Sequence, residues 1–321
     1  MVTRPTGWAV GSFRLALKID VDTERGTRLG VPALMRILAE AGVPATFFFS
    51  LGPDNTGRAL RRLFRPGFAS KVARTNVLAH YGLRTLLNGV LWPGPKIARR
   101  HAPILRAVAR SGFGVAVHCW DHVRWQDGLR RMRADEVRGE LARAFEAFES
   151  VFGARPTAAG AAGWQANAFS LAAYDDARLL WASDTRGRTP FFPCAGGRVF
   201  RTPQLPTTLP TLDELLGRRE HPRVGLAERL LDGLRPDALE VMTLHAELEG
   251  QREQGFLREV LDAARSRGVE LVGLEDEVTR LRTQMDAIPI CELEEDGSVL
   301  GRSGTLAAQG STLGPRAAPV L

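Results

Sequence analysis

Only three cysteines occur in 321 residues, Cys119, Cys194 and Cys291. They are odd in number, far apart and form no CxxC pair, which excludes a disulfide framework and a thiolate zinc knuckle as the basis of the fold. A reducing compartment is the simpler expectation. No run reaches the roughly 20 uninterrupted apolar residues that a membrane-spanning helix needs, and no long apolar stretch precedes Arg14 and Lys18. A cytoplasmic protein is therefore expected. The third absence is local: between Asn55 and Trp120 there is no Asp or Glu at all.

That acid-free stretch carries Arg58, Arg61, Arg62, Arg65, Lys71, Arg74, Arg84, Lys96, Arg99, Arg100, Arg106 and Arg110. The surplus behind the net charge of +7 and the sequence pI near 10.1 is concentrated there. Leu60, Leu63, Phe64, Phe68, Val72, Leu78, Tyr81, Leu83, Leu87, Leu91 and Trp92 are interleaved with the basic residues, at a spacing that suits one apolar face on short helices. A basic amphipathic insertion over approximately 55–100 can lie in the headgroup plane of an anionic membrane, each nearby Lys or Arg adding about 1 kcal/mol. Packing of the same apolar residues on the body of the protein, with the Arg side chains solvated, is the plainer alternative. No groove-reading motif accompanies the charge, so nucleic acid is not an expected partner.

With 44% hydrophobic residues, a chain of this length can bury one large core. Apolar runs alternate with helical patterns. Strands are expected at Phe13 to Ile19, Ala45 to Ser50, Gly114 to Val117, Leu179 to Ala182, Val241 to Leu244 and Val269 to Val272. Helices are expected at Val31 to Ala41, Ile104 to Ser111, Ala134 to Phe152, Gln254 to Arg267 and Glu275 to Met285. This order predicts an α/β fold with a mostly parallel sheet and outer helices over residues 1–290. From Gly297 the chain turns to Gly, Ala, Ser, Thr and Pro with few large apolar residues, so 291–321 is expected to be a disordered tail.

Three clusters stand where strands would end, the edge at which α/β folds place their chemistry. Asp20 and Asp22 in LALKIDVDT are one residue apart and share a face of an extended strand. One of the two can bind a cation while the other stays ionised beside it and accepts a proton; a solvent-facing pair that caps the next helix explains them as well. His118 and His122 in VAVHCWDH are four apart, which on one helical turn puts both imidazoles on one side for a single metal, although HxxxH also arises by chance. His245 follows the run VMTL and is either an acid for a leaving amine or a core histidine. Asp184 in WASDTRG is a candidate to orient or charge that imidazole, or a turn residue. Two histidines and one carboxylate leave positions open for water and substrate, a set that suits zinc and also cobalt, manganese or nickel.

With these residues in this order, the chain resembles the polysaccharide deacetylase family, the NodB-homology metal-dependent N-deacylases, from about Phe13 to Leu281. The resemblance implies an irregular seven-stranded (β/α) barrel, with Asp20 as base, Asp22, His118 and His122 on the metal and His245 as acid. The longer strings IDVDTERGTRLGVP, FFSLGPDNTGR, HCWDHVRWQ, AAGWQA, SDTRG, LPTTLPTLDE and HAELEG are similar to a deformylase branch of that family. They imply a substrate in which a formamido-arabinose is joined through phosphate to undecaprenol, giving formate and an amino sugar lipid for modification of lipid A and polymyxin resistance. An N-deacetylase of another glycan or peptidoglycan precursor, and a non-catalytic binder of lipid-linked sugar, are the alternatives. Where many members carry Arg-Pro, this chain has Ala159, Gly160, Ala161, Ala162, Gly163 and Trp164. The side chain that orients Asp20 is thus open, with Arg186 as one candidate.

Overall fold

Strand β1 (Arg14–Val21) alternates with a period of two: Leu15, Leu17, Ile19 and Val21 join one apolar cluster, while Ala16 belongs to a second and shares its face with Lys18 and Asp20. A strand buried on both faces is the signature of a sheet covered by helices outside and closed on itself inside. The computed structural model describes residues 12–59, 85 and 87–315. Among these, α1 (Val31–Ala41) follows a π turn at Gly26–Gly30 and ends at Gly42, whose φ of 66° is the left-handed conformation that closes a helix. Then come β2 (Thr46–Ser50), α2 (Ile97–Arg110), β3 (Gly114–Cys119), α3 (His122–Gly128), α4 (Ala134–Phe152), β4 (Ala158–Ala159), α5 (Ala168–Ala177) and β5 (Trp181–Ala182). The later elements are β6 (Phe192–Ala195), β7 (Arg198–Val199), α6 (Leu212–Leu215), α7 (Leu226–Leu231), β8 (Leu239–His245), α8 (Gln254–Ser266), β9 (Glu270–Val272), α9 (Leu274–Arg282), β10 (Pro289–Gly297) and β11 (Leu306–Pro315).

Seven strands form one parallel sheet in the order β5-β4-β3-β2-β1-β8, with β9 also on β1. One edge of β1 is fully taken by β8 from Arg14 to Asp20. Its other edge is divided, Arg14 to Ala16 pairing with β9 and Lys18 to Val21 with β2. The outer strands β5 and β8 do not pair directly. The segment from Gln204 to Leu209 spans them instead: Leu205 N donates to Ala182 O at 2.7 Å, Thr207 N to Thr185 O at 2.9 Å and Thr208 N to Val241 O at 3.1 Å. An irregular barrel results, as the resemblance implies. Its small interior core contains Ala16, Phe48, Ala116, Ala158, Trp181 and Val241, while the larger core lies between the sheet and the helices.

Helix α2 begins before Pro103, where a helix start at Ile104 is expected from the sequence. The proline is tolerated because the backbone already leaves helical geometry at His101, with φ −119° and ψ 20°. Residues 60–84 and 86, most of the expected amphipathic insertion, lie outside the described residues. Among the described residues no helix is long and apolar enough to cross a membrane.

The expectation of disorder beyond residue 290 is wrong for 291–315. Strands β10 and β11 pair antiparallel and, with β6 and β7, form a second sheet in the order β11-β10-β6-β7. Large apolar residues are indeed few, but Cys291, Leu306 and Ala307 are buried and the backbone finds its partners in β6 and at Arg186. Composition alone misjudges such a segment, because ladder hydrogen bonds to a distant strand leave no trace in local sequence. The connection between β10 and β11 packs on the loop after β4: Gln165 Nε2 donates to Thr305 O at 2.6 Å and Arg302 Nη2 to Gly163 O at 3.1 Å.

Candidate active site

Every sequence-predicted site residue lies at the C-terminal edge of the parallel sheet. Asp20 is inside β1, Asp22 follows it, His118 is in β3, His245 ends β8 and Asp184 comes two residues after β5. The two metal-type histidines do not share a helical turn as their spacing suggests. His118 is on a strand and His122 is the first residue of α3. Phe49 pairs with Val117 and Ser50 with Cys119, so His118 is an extra residue in the ladder, the kind of bulge that re-aims a side chain at a strand end. Asp121 starts α3 by accepting from Arg124 N at 3.0 Å, and its other oxygen takes Asn55 Nδ2 at 2.6 Å. Strand, bulge and cap together bring two imidazoles whose ring centroids are 5.4 Å apart to one spot.

Asp22 meets both. Its Oδ1 is 3.2 Å from His118 Nε2 and its Oδ2 is 3.3 Å from His122 Nε2, and the three donor atoms lie within 4.8 Å of one another. The opposite nitrogen of His118, Nδ1, is 2.5 Å from Gly160 O. A carbonyl can only accept, so Nδ1 carries a hydrogen, and Nε2 is the nitrogen turned to Asp22 and placed to act as a ligand. Burial pushes the Asp22 carboxyl up, but His122 and His118 more than reverse this and hold it well below the usual carboxylate range. A buried carboxylate whose Oδ1 has no hydrogen-bond donor, with an imidazole Nε2 beside each of its oxygens, is a donor set that fits a divalent cation.

Asp20 and His245 are register partners on adjacent parallel strands, so their separation is set by the roughly 4.8 Å strand spacing. Asp20 Oδ1 lies 3.3 Å from Lys18 Nζ and 3.8 Å from His118 Nδ1. The His245 ring packs edge-on to Trp164, centroids 6.3 Å apart, and its backbone N–H donates to Glu249 Oε2 at 2.9 Å. Burial lowers the affinity of this imidazole for a proton, but Asp213 first, then Asp22, Asp20 and Glu249, outweigh it and raise the pKa above the ordinary histidine value.

The sequence pattern of the polysaccharide deacetylase family matches residues 16–177, about half of the chain. A curated relative from Shewanella sediminis (strain HAW-EB3), named a probable 4-deoxy-4-formamido-L-arabinose-phosphoundecaprenol deformylase ArnD, is 34% identical over 94% of this chain and 96% of its own. The chain belongs to the polysaccharide deacetylase family. Membership makes it an amide hydrolase. A second relative of the same name, from Wigglesworthia glossinidia brevipalpis, is 29% identical over 88% of this chain and 98% of its own. The fold agrees: the crystal structure of a polysaccharide deacetylase candidate from Mycobacterium smegmatis superposes with a TM-score of 0.58 at 22% identity, covering 88% of this chain and 95% of that one.

Two side chains that the sequence suggested for this site are engaged elsewhere. Arg186, a candidate to orient Asp20, donates to both Glu214 oxygens at 2.8 and 3.0 Å and to Leu209 O at 2.9 Å. Asp184 does not rank with the carboxylates that charge His245. It takes Ala161 N at 2.7 Å, Gln204 Nε2 at 2.9 Å and Tyr174 Oη at 3.3 Å, and burial pushes it up to about 6. Its contact with Ala161 braces the loop that replaces the Arg-Pro motif. In that loop Gly163 and Trp164 have φ of 64° and 53°, and a left-handed tryptophan persists only where its surroundings hold it. Trp164 Nε1 donates to Thr207 Oγ1 at 3.0 Å, and Lys18, Arg186 and Arg302 stand 4.6–5.6 Å from its ring centroid.

The sequence reading passes over Lys18, Asp213, Glu247 and Glu249. Glu247 Oε1 accepts from Asp22 N, Thr23 N and Thr23 Oγ1 at 3.2, 2.9 and 2.7 Å and so shapes the turn that carries Asp22. Burial, aided by the Asp22 charge, pushes its carboxyl up to about 8, and burial takes Glu249 to about 7. Lys18 was legible: the same period of two that unites Asp20 and Asp22 puts it on their face. Asp213 was not, since nothing local ties the string LPTLDE to the end of β8.

Proposed function

We propose that this protein is a metal-dependent deformylase that removes the N-formyl group from 4-deoxy-4-formamido-L-arabinose joined through phosphate to undecaprenol. The products are formate and the free amino sugar lipid, the form used to modify lipid A. The observation that carries the reading is the register pairing of Asp20 with His245 beside the Asp22, His118 and His122 cluster. It supports a reading in which a proton acceptor, a proton donor and a cation site share one sheet edge. The relatives named for this reaction supply the substrate class.

Asp22, His118 and His122 would hold the ion. When bound, a divalent cation such as zinc, cobalt, manganese or nickel polarises the amide carbonyl and acidifies the attacking water. Asp20 takes the proton of that water as the new C–O bond forms. His245 gives a proton to the nitrogen as the C–N bond breaks, so that the sugar leaves as an amine and not as an amide anion. The raised proton affinity of His245 suits that role, because the ring stays charged to a higher pH than a free imidazole.

Purified protein given the formylated lipid is expected to release formate, to stop after chelation and to resume when a divalent ion is returned. Acetate release from the acetylated analogue with the formyl lipid untouched would move the activity to a deacetylase. Binding of the lipid without turnover would leave only a binder.

The bilayer-borne tail of such a substrate calls for an enzyme that works at the cytoplasmic face of the inner membrane. The acid-free insertion supports this, and at its described end Val90, Leu91 and Trp92 are 55%, 67% and 43% exposed. Charge reversal at Arg61, Arg62 and Arg65 is expected to weaken co-sedimentation with anionic vesicles. Equal sedimentation of this variant and the wild type would remove the membrane role of the insertion.

A further inference from the structure

Lys18 is fully buried in the barrel interior, where an ammonium group is costly unless every donor is used. Its Nζ donates to Ser183 O at 3.0 Å and stands 3.3 Å from Asp20 Oδ1. The faces of Phe48 and Trp164 lie on its other sides, ring centroids 5.0 and 5.6 Å away. Its register neighbours on β2 and β8, Thr46 and Thr243, are uncharged. The chain makes room for this side chain at Gly160, where a Cβ would come within 3.2 Å of Lys18 Cε and 2.6 Å of the Phe48 ring. Gly160 is the same residue whose carbonyl holds His118. The backbone between β4 and the Trp164 loop is thus fitted to Lys18 on one side and to a metal-type histidine on the other.

We propose that Lys18 is the positioning residue for Asp20. Asp20 Oδ1 is buried with no hydrogen-bond donor on it, and the ammonium at 3.3 Å is the charge that faces it, since His118 Nδ1 at 3.8 Å is turned to Gly160 O. The ion pair, anchored by the Lys18 bond to Ser183 O, fixes how the carboxylate faces the attacking water. The positive charge also balances a carboxylate that would otherwise sit beside Asp22 in a closed interior. This inference rests on Asp20 as the base of the proposed deformylase.

Lys18→Met keeps the length of the side chain and removes its charge. It is expected to lower kcat for formate release about 100-fold, within the range that proton transfer by a positioned group contributes, with KM changed less than about threefold and metal content as in the wild type. In an Asp20→Asn background the same substitution is expected to change kcat less than about threefold, because residues that act as a unit are not additive. Lys18→Arg should recover at least about tenfold over Lys18→Met, since it restores the cation. Wild-type kcat in Lys18→Met, or an undiminished drop in the Asp20→Asn background, would overturn the proposal. If Lys18→Met does not fold, Lys18→Gln takes its place in the same comparison, and failure of both to fold would assign Lys18 to structure alone. Wild-type turnover in Asp20→Asn would instead remove the base on which the inference rests.

Discussion

His118→Ala is expected to lose bound metal and turnover together. The ring is fixed from both sides: Nδ1 donates to Gly160 O, and Nε2 faces Asp22 Oδ1 at 3.2 Å across a space that a cation suits. Supporting contacts of metal ligands are already worth about 10–100-fold in affinity, and removing a ligand itself costs more. Asp22 would then face only His122 at 3.3 Å, a pair that leaves a divalent ion mostly to solvent. Elemental analysis after dialysis against dilute metal reads the first effect and formate release reads the second. Wild-type metal content in the variant would show that the three donors do not share an ion.

Asp20→Asn separates proton transfer from metal binding. Asparagine has the shape of aspartate but cannot accept the proton, so turnover is expected to fall by at least the 10²–10⁴-fold typical of a general base, with metal content unchanged. His245→Ala should behave alike, because the amine then departs without its proton. The geometry makes both expectations sharp: Asp20 and His245 are paired in register across β1 and β8, and neither belongs to the set of three donors that lie within 4.8 Å of one another. Loss of metal from Asp20→Asn would move this carboxylate into the ligand set, and full activity would remove it from the reaction.

The two variants test residues that were legible for different reasons. Asp20, Asp22 and His245 announce themselves by standing at the ends of the apolar runs LALKI and VMTL, which β1 and β8 contain. His118 and His122 were visible as a pair, yet the spacing of four suggested a helical turn where a bulged strand meets a capped helix. The ends of α1 and α4 agree with their sequence patterns because Pro32 and Gly42, or the terminal Gly153, mark them locally. Strand β4 has only Ala158 and Ala159, too short and too small for any periodicity to show, although it joins β3 to β5 in the sheet. The hairpin of β10 and β11 was hidden by a composition that reads as unstructured, because its partner strand β6 lies far upstream.

The amino-acid sequence by itself determined the alternating strand and helix plan, the sheet-end placement of the acidic and imidazole groups, and the concentration of positive charge between Asn55 and Trp120. Each of these is a property of residue type and short spacing. Tertiary structure alone decided that Lys18 and not Arg186 stands beside Asp20, that Asp213 and not Asp184 leads the carboxylates that raise the His245 pKa, and that residues 289–315 are folded. These depend on which distant segments meet, such as Lys18 with Ser183 across 165 positions, and closure of the barrel sets such meetings where no local pattern can.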